Sequence, residues 1–123
     1  MQRRYNRPTT KKGWYTSGDR KYYLKSSWEL KYAQFLDKEL SNGKMKRWEY
    51  EPDTFWFEKI KRGVRSYTPD FKVEHLNGKV EYHEVKGYLD SKSKTKLNRM
   101  RIYYPDIEMK LIDRAVMKNL DLL

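Results

Sequence analysis

Glu84 and Lys86 stand two positions apart in YHEVKGY (82–88), a stretch that otherwise reads as strand. Residues two apart in a strand project from one face, so a carboxylate and an ammonium point together while Val85 points away. One reading is an ordinary ion pair, worth about 1 kcal/mol or less if exposed; the other is a metal ligand beside a catalytic lysine. Asp70, in SYTPDFKVEH, bears on the choice through the register of the hairpin it forms with this strand. If Asn77 and Gly78 make a two-residue turn, Phe71 opposes Glu84 and Asp70 faces away. If Leu76, Asn77 and Gly78 make a three-residue loop with Gly78 left-handed, Asp70 falls opposite Glu84, with Cβ atoms ~5 Å apart on one face. The sequence admits both registers. In the second, two opposed carboxylates are destabilising unless a cation lies between them, and a hard, oxygen-coordinated ion such as Mg²⁺ suits the pair.

A third carboxylate, Glu29, comes from SSWELKYAQFLDKEL, where it falls within the apolar arc of Trp28, Tyr32, Ala33, Leu36 and Leu40. Ser26 and Glu29 have the spacing of a capping box, in which Glu29 would bond back to the Ser26 amide. Its company with Asp70, Glu84 and Lys86 favours a place in a metal site instead. Glu49 and Glu51 in WEYEP are a second pair of candidate ligands, but strand-surface glutamates are the commoner explanation. His83 should face away from Glu84, which argues against a histidine-metal nuclease. Ser26 and Ser27 have no histidine at catalytic spacing, and no phosphate-binding G-x-x-x-x-G-K-[ST] loop is present, so ATP use is not indicated.

The elements that must position these groups follow from periodicity. GWYTSGDRKYYLK reads as two short aromatic strands around Ser17, Gly18 and Asp19, and SSWELKYAQFLDKEL as a helix stopped by SNG. MKRWEYEP and TFWFEKI read as strands, SYTPDFKVEH and KVEYHEVKG as a hairpin. SKSKTKLNRMRIYY is a helix with Leu97, Met100 and Tyr104 on one stripe and Lys92, Lys96 and Arg99 on another. IEMKLID is a final strand and AVMKNLDLL a short helix. The expected fold is α/β, with a central mixed sheet flanked by helices.

At 123 residues the chain has room for one core. It lacks cysteine, which excludes disulfides and thiolate metal sites and suits a reducing cytoplasm. No run approaches the ~18 apolar residues of a membrane span, and no apolar segment follows the basic N-terminus, so a soluble cytoplasmic protein is expected. The net charge of +11 is concentrated. Residues 1–25 hold eight Lys/Arg against Asp19 alone, residues 86–101 hold six against Asp90 alone, and the rest sums to −1. Basic blocks interleaved with Tyr and Trp suit a phosphate-binding surface, because cations displace counterions and flat rings stack on bases.

SSWE, YTPDF and HEVKG, in this order and on these elements, resemble the PD-(D/E)XK nuclease superfamily. Within it the chain is most similar to the junction-resolving endonuclease I family of T-odd phages and to related phage and transposase endonuclease subunits. The resemblance covers roughly residues 26–113; it divides the chain into a basic aromatic arm or hairpin (1–25) and a nuclease domain (26–123). It implies a restriction-endonuclease-like core and a Mg²⁺-dependent DNA endonuclease, with Mn²⁺ as substitute. Glu29, Asp70, Glu84 and Lys86 would be catalytic. Asp70, Glu84, the Val85 carbonyl and Glu29, directly or through water, would hold one or two ions. Lys92, Lys94, Lys96, Arg99 and Arg101 would contact DNA, and the charge block adds Arg3, Arg4, Arg7, Lys11 and Lys12. The substrate implied is branched DNA such as a Holliday junction, cut by a homodimer in the host cytoplasm if the chain is phage-encoded. The alternatives are a less selective or nicking endonuclease of linear duplex and, in another class, a non-catalytic DNA-binding protein on a nuclease fold.

Overall fold

The computed structural model describes residues 13–123. β1 (Gly13–Ser17) and β2 (Arg20–Leu24) form an antiparallel hairpin, followed by α1 (Ser27–Ser41), β3 (Arg47–Tyr50), β4 (Phe55–Trp56) and β5 (Ser66–Tyr67). β6 (Phe71–Glu74), β7 (Val80–Val85), α2 (Ser91–Tyr103), β8 (Glu108–Ile112) and α3 (Arg114–Asn119) complete the chain. The central sheet has the order β3-β6-β7-β8, with β7 and β8 parallel and the other pairs antiparallel. Parallel neighbours need a long crossover, and α2 supplies it. The protein is thus mixed α/β, built on a central mixed sheet. Among the described residues no helix is long and apolar enough to cross a membrane.

Strand alternation sorts the side chains of the sheet into two cores. On one face Phe71, Val73, Val85 and Ile112 meet Tyr32, Ala33 and Leu36 of α1 and Met117 of α3. Phe71 is fully buried, with Tyr32, Trp48 and Tyr50 ringed edge-on around it; burial of such a side chain contributes about 1.5–3 kcal/mol. On the other face Phe57, Tyr67 and Met100 form a smaller core with Leu97, Tyr104 and Met109. The hairpin is tied to the first core. Asp37 of α1 accepts from Tyr15, from Ser17 Oγ at 2.6 Å and from Trp48 Nε1 at 2.9 Å, while Tyr22 lies against Trp48 and Tyr50.

Two segments depart from the expected strands. TFWFEKI is strand only at Phe55–Trp56, because the chain turns at Glu58 and Lys59, the latter left-handed at φ 71°. Phe57 and Ile60 still reach the second core from the turn, so the apolar pattern continues where the strand does not. SYTPDFKVEH is likewise broken at Thr68–Asp70: β5 pairs only with β4, and β6 joins the main sheet. Buried Pro69, which has no N–H to donate, stands at the break.

Candidate active site

Glu29 is fixed by the start of α1. Ser26, extended at φ −155°, caps the helix by accepting from the Glu29 amide at 3.1 Å. The return bond of the capping box is displaced by one residue: Glu29 Oε1 accepts from Lys25 N–H at 2.7 Å, not from Ser26. The cause is Tyr50, whose hydroxyl donates to the same oxygen at 2.8 Å and holds the carboxylate toward the sheet. Glu29 is therefore both a helix-end acceptor and a buried acid of the site.

Hairpin register brings Asp70 and Glu84 together. β6 and β7 pair Phe71 with His83 and Glu74 with Val80, and His75 N–H reaches Lys79 O at 2.8 Å. The loop is therefore Leu76, Asn77 and Gly78, with Gly78 left-handed at φ 88°. Extending the ladder by one pair places Asp70 opposite Glu84. Asp70 Oδ2 accepts from Val85 N–H at 2.8 Å, and Glu84 Oε1 accepts from Tyr67 OH at 2.6 Å and from Asp70 N–H at 3.3 Å. Burial, then the charges of Glu84 and Glu29, push the Asp70 carboxyl well above the usual carboxylate range. Burial also raises Glu84, against the lowering pull of Tyr67, Lys86 and Lys96. His83 lies on the opposite face, bonded to Tyr32 at 2.7 Å and Glu81 at 3.0 Å.

Lys86 leaves the end of β7, its N–H bonded to Ile112 O at 3.1 Å, and lines the same cleft as the three carboxylates. Among the described residues it forms no ion pair with Glu84 or any other carboxylate. Gly87 follows because a Cβ there would sit 3.2 Å from the Trp28 ring, which walls the cleft and carries Arg114 at 5.5 Å from its centroid. The cleft is open, with a volume of about 720 Å³.

A family model described as "Protein of unknown function (DUF1064)" matches residues 18–119. The chain belongs to that family. No curated protein matches the chain. The DUF1064 match opens in the β1–β2 turn and ends at the last residue of α3, so it takes in Glu29, Asp70, Glu84 and Lys86.

Two tyrosines and Glu51, a residue the sequence reads as strand surface, complete the DUF1064 site. Tyr67 and Tyr50 hold two of the three carboxylates, and their own hydroxyl pKa values rise, first from burial and then from those carboxylates. Glu51 lines the cleft and pairs with Lys25 at 2.9 Å. Its backbone is left-handed at φ 47°, a strain of about 1–3 kcal/mol, and its N–H bonds Asp70 O at 2.8 Å. No local signal announces this, since a residue before proline ordinarily stays extended. Of the cations expected on α2, Lys92, Lys96 and Arg99 line one groove, and Lys96 also lines the cleft. Lys94 and Arg101 lie on the far side of the helix, where Arg101 bonds Asn98. Arg3, Arg4, Arg7, Lys11 and Lys12 fall outside the described residues.

Proposed function

We propose that this chain is a metal-dependent endodeoxyribonuclease of the PD-(D/E)XK type. One observation carries the reading: Asp70 and Glu84 are held face to face in a cleft with raised proton affinity, while cationic Lys25, Lys86 and Lys96 line it. Burying like charges together is costly unless a cation or proton joins them. The donor set fits a hard divalent ion, being all oxygen. Asp70 Oδ1 and Glu84 Oε2 accept no bond among the described residues, whereas their other oxygens are held by Val85, Tyr67 and Asp70 N–H. Among the described residues no three acidic or histidine side chains are drawn tightly enough together to hold an ion. Asp70, Glu84 and the Val85 carbonyl would thus hold Mg²⁺ or Mn²⁺, and Glu29, already bonded to Lys25 and Tyr50, would act on it through water.

A bound divalent ion supplies a water of lowered pKa and charge stabilisation at a phosphate oxygen. The chain's own groups do the rest. Lys86, with no ion pair among the described residues, is placed to orient the attacking water or to offset charge growing on the phosphate. Tyr67 and the Val85 amide fix the two carboxylates, and Lys25 and Lys96 draw a polyanion into the cleft. Branched DNA cut by a homodimer is the proposed substrate and state, by resemblance to the junction-resolving family.

The test is incubation with four-way junction, nicked, single-stranded and linear DNA, with Mg²⁺ and with EDTA. Metal-dependent cleavage that is lost in Asp70→Ala, Glu84→Ala and Lys86→Ala, with DNA binding retained, is expected. Full activity in Asp70→Ala would sink the proposed site. Equal cutting of every substrate would leave a nuclease without branch selectivity.

A further inference from the structure

A third cationic segment lies in the loop after β4. Residues 59–65 include Lys59, Lys61, Arg62 and Arg65 and no acidic residue. Arg99 of α2 donates to the Val64 carbonyl and so fastens this loop against the helix. Between loop and helix runs an open groove of about 610 Å³, with Arg65 on one wall and Lys92, Lys96 and Arg99 on the other. Ser66 and Lys96 line both this groove and the acidic cleft, so the two are continuous. Lys92 to Arg99 rises ~10 Å along the helix, a length over which one strand of a duplex presents about three phosphates. Among the described residues, none of the four cations is ion-paired to a carboxylate.

The β4–β5 ladder stands where the cleft meets the groove. Phe55 and Tyr67 turn inward to the second core, which turns Trp56 and its partner Ser66 outward on one face. The Trp56 ring is 59 % exposed. Directly opposed residues lie about 5 Å apart at Cβ, so the indole rises beside the residue shared by cleft and groove. An exposed indole paired across the ladder with a residue of the groove is a stacking surface for a base, and a base is free to stack only where its strand is unpaired.

We propose that this groove is the channel for the strand that is cut. Its phosphates lie along Arg65, Lys92, Lys96 and Arg99, and an unpaired base of the same strand stacks on Trp56. The inference rests on the nuclease reading of the acidic cleft and narrows its substrate to a strand unpaired next to the scissile phosphate, as at a gap or branch point.

Binding of the full chain in EDTA tests it without cleavage, by fluorescence anisotropy on single-stranded, gapped and intact duplex oligonucleotides across a salt series. Arg65→Ala with Lys92→Ala should flatten the slope of log K against log salt on single strands by about 1.4, at ~0.7 for each phosphate neutralised. Trp56→Ala should weaken single-stranded and gapped DNA about 5- to 100-fold, leave intact duplex and the salt slope unchanged, and be rescued by Trp56→Phe. An unchanged slope in the double variant overturns the channel. Equal loss on intact duplex, or no loss on gapped DNA, overturns the stacking role and the proposal with it. Binding as expected, followed by no cleavage when Mg²⁺ is added, would support the channel while refuting the nuclease reading.

Discussion

Asp70→Asn should make the metal-free protein more stable. The substitution keeps side-chain shape and an acceptor for the Val85 N–H, and it removes one of two carboxylates facing each other across β6 and β7. At a separation of about 5 Å and an effective dielectric of about 20, their repulsion when both are ionised is ~3 kcal/mol. A neutral amide accepts more weakly than a carboxylate, which leaves a net gain of about 1–2 kcal/mol. That corresponds to ~5–10 °C in Tm for a domain of this size. The sign with pH follows from the raised carboxyl. Below its unfolded value of 3.8 the group is protonated in both states and the proteins should coincide. As pH rises the native carboxyl must keep its proton or accept the repulsion, so wild type loses ground until pH passes the raised native value. Circular-dichroism melts in EDTA from about pH 4.5 to about pH 8.5 measure the gap. Saturating Mg²⁺ or Mn²⁺ should stabilise the wild type, by about 2.7 kcal/mol at a hundredfold excess over Kd, and so raise its Tm while leaving the variant unmoved. A variant less stable than wild type throughout, or a gap independent of pH, would refute the claim that these carboxylates repel each other.

Three further outcomes are expected. Tyr67→Phe leaves Glu84 Oε1 with only the 3.3 Å bond from Asp70 N–H, so calorimetric titration with Mn²⁺ should show affinity about 10- to 100-fold weaker; unchanged affinity would mean that Tyr67 does not position the acid. Glu81 is buried between His83, His75 and Lys110, and although burial alone would raise its carboxyl, those partners hold it at about 2. Glu81→Gln should cost about 1–3 kcal/mol, with the wild-type advantage present above about pH 4.5 and lost as pH falls toward 2, read by denaturant melts at several pH values. Neutralising Arg3, Arg4, Arg7, Lys11 and Lys12 should lower the salt slope on duplex DNA by up to ~0.9 for each phosphate no longer engaged, and an unchanged slope would mean that these cations touch no phosphate.

The helices and the hairpin were legible because each carries a local signal. In α1 the apolar spacing matches the buried face at Tyr32, Ala33 and Leu36, and Ser26 caps it. In the β6–β7 hairpin the sequence marks the loop but leaves two registers open, and the structure takes the three-residue loop, with Gly78 left-handed, that sets Asp70 opposite Glu84. What misled was the assumption that alternating apolar residues imply a continuous strand. Phe57 is buried and Ile60 half-buried from a turn, and Tyr67 and Phe71 belong to different ladders and different cores. Alternation reports which side chains are buried, and a turn can bury them as well as a strand.

The site was legible for a related reason and illegible beyond it. Glu84 and Lys86 stand two apart, so spacing alone sets them on one face, whereas Asp70 joins Glu84 in only one of the two registers that the sequence admits. Lys25, Glu51 and Tyr67 line the cleft from outside the β6–β7 hairpin and Tyr50 bonds Glu29 from β3, meetings set by the packing of elements and not by spacing along the chain. Charge summed along the chain hides the groove in the same way. Residues 26–85, between the two basic blocks, sum to zero, yet several of the carboxylates that offset Lys59, Lys61, Arg62 and Arg65 in that sum are paired elsewhere. Glu49 pairs with Arg47 at 3.6 Å, Glu51 with Lys25 at 2.9 Å and Asp53 with Lys72 at 3.3 Å. A phosphate responds to the potential where it lies, within a Debye length of about 8–10 Å. By that measure Arg65 makes the wall opposite α2 positive, although the stretch of sequence that supplies it sums to zero.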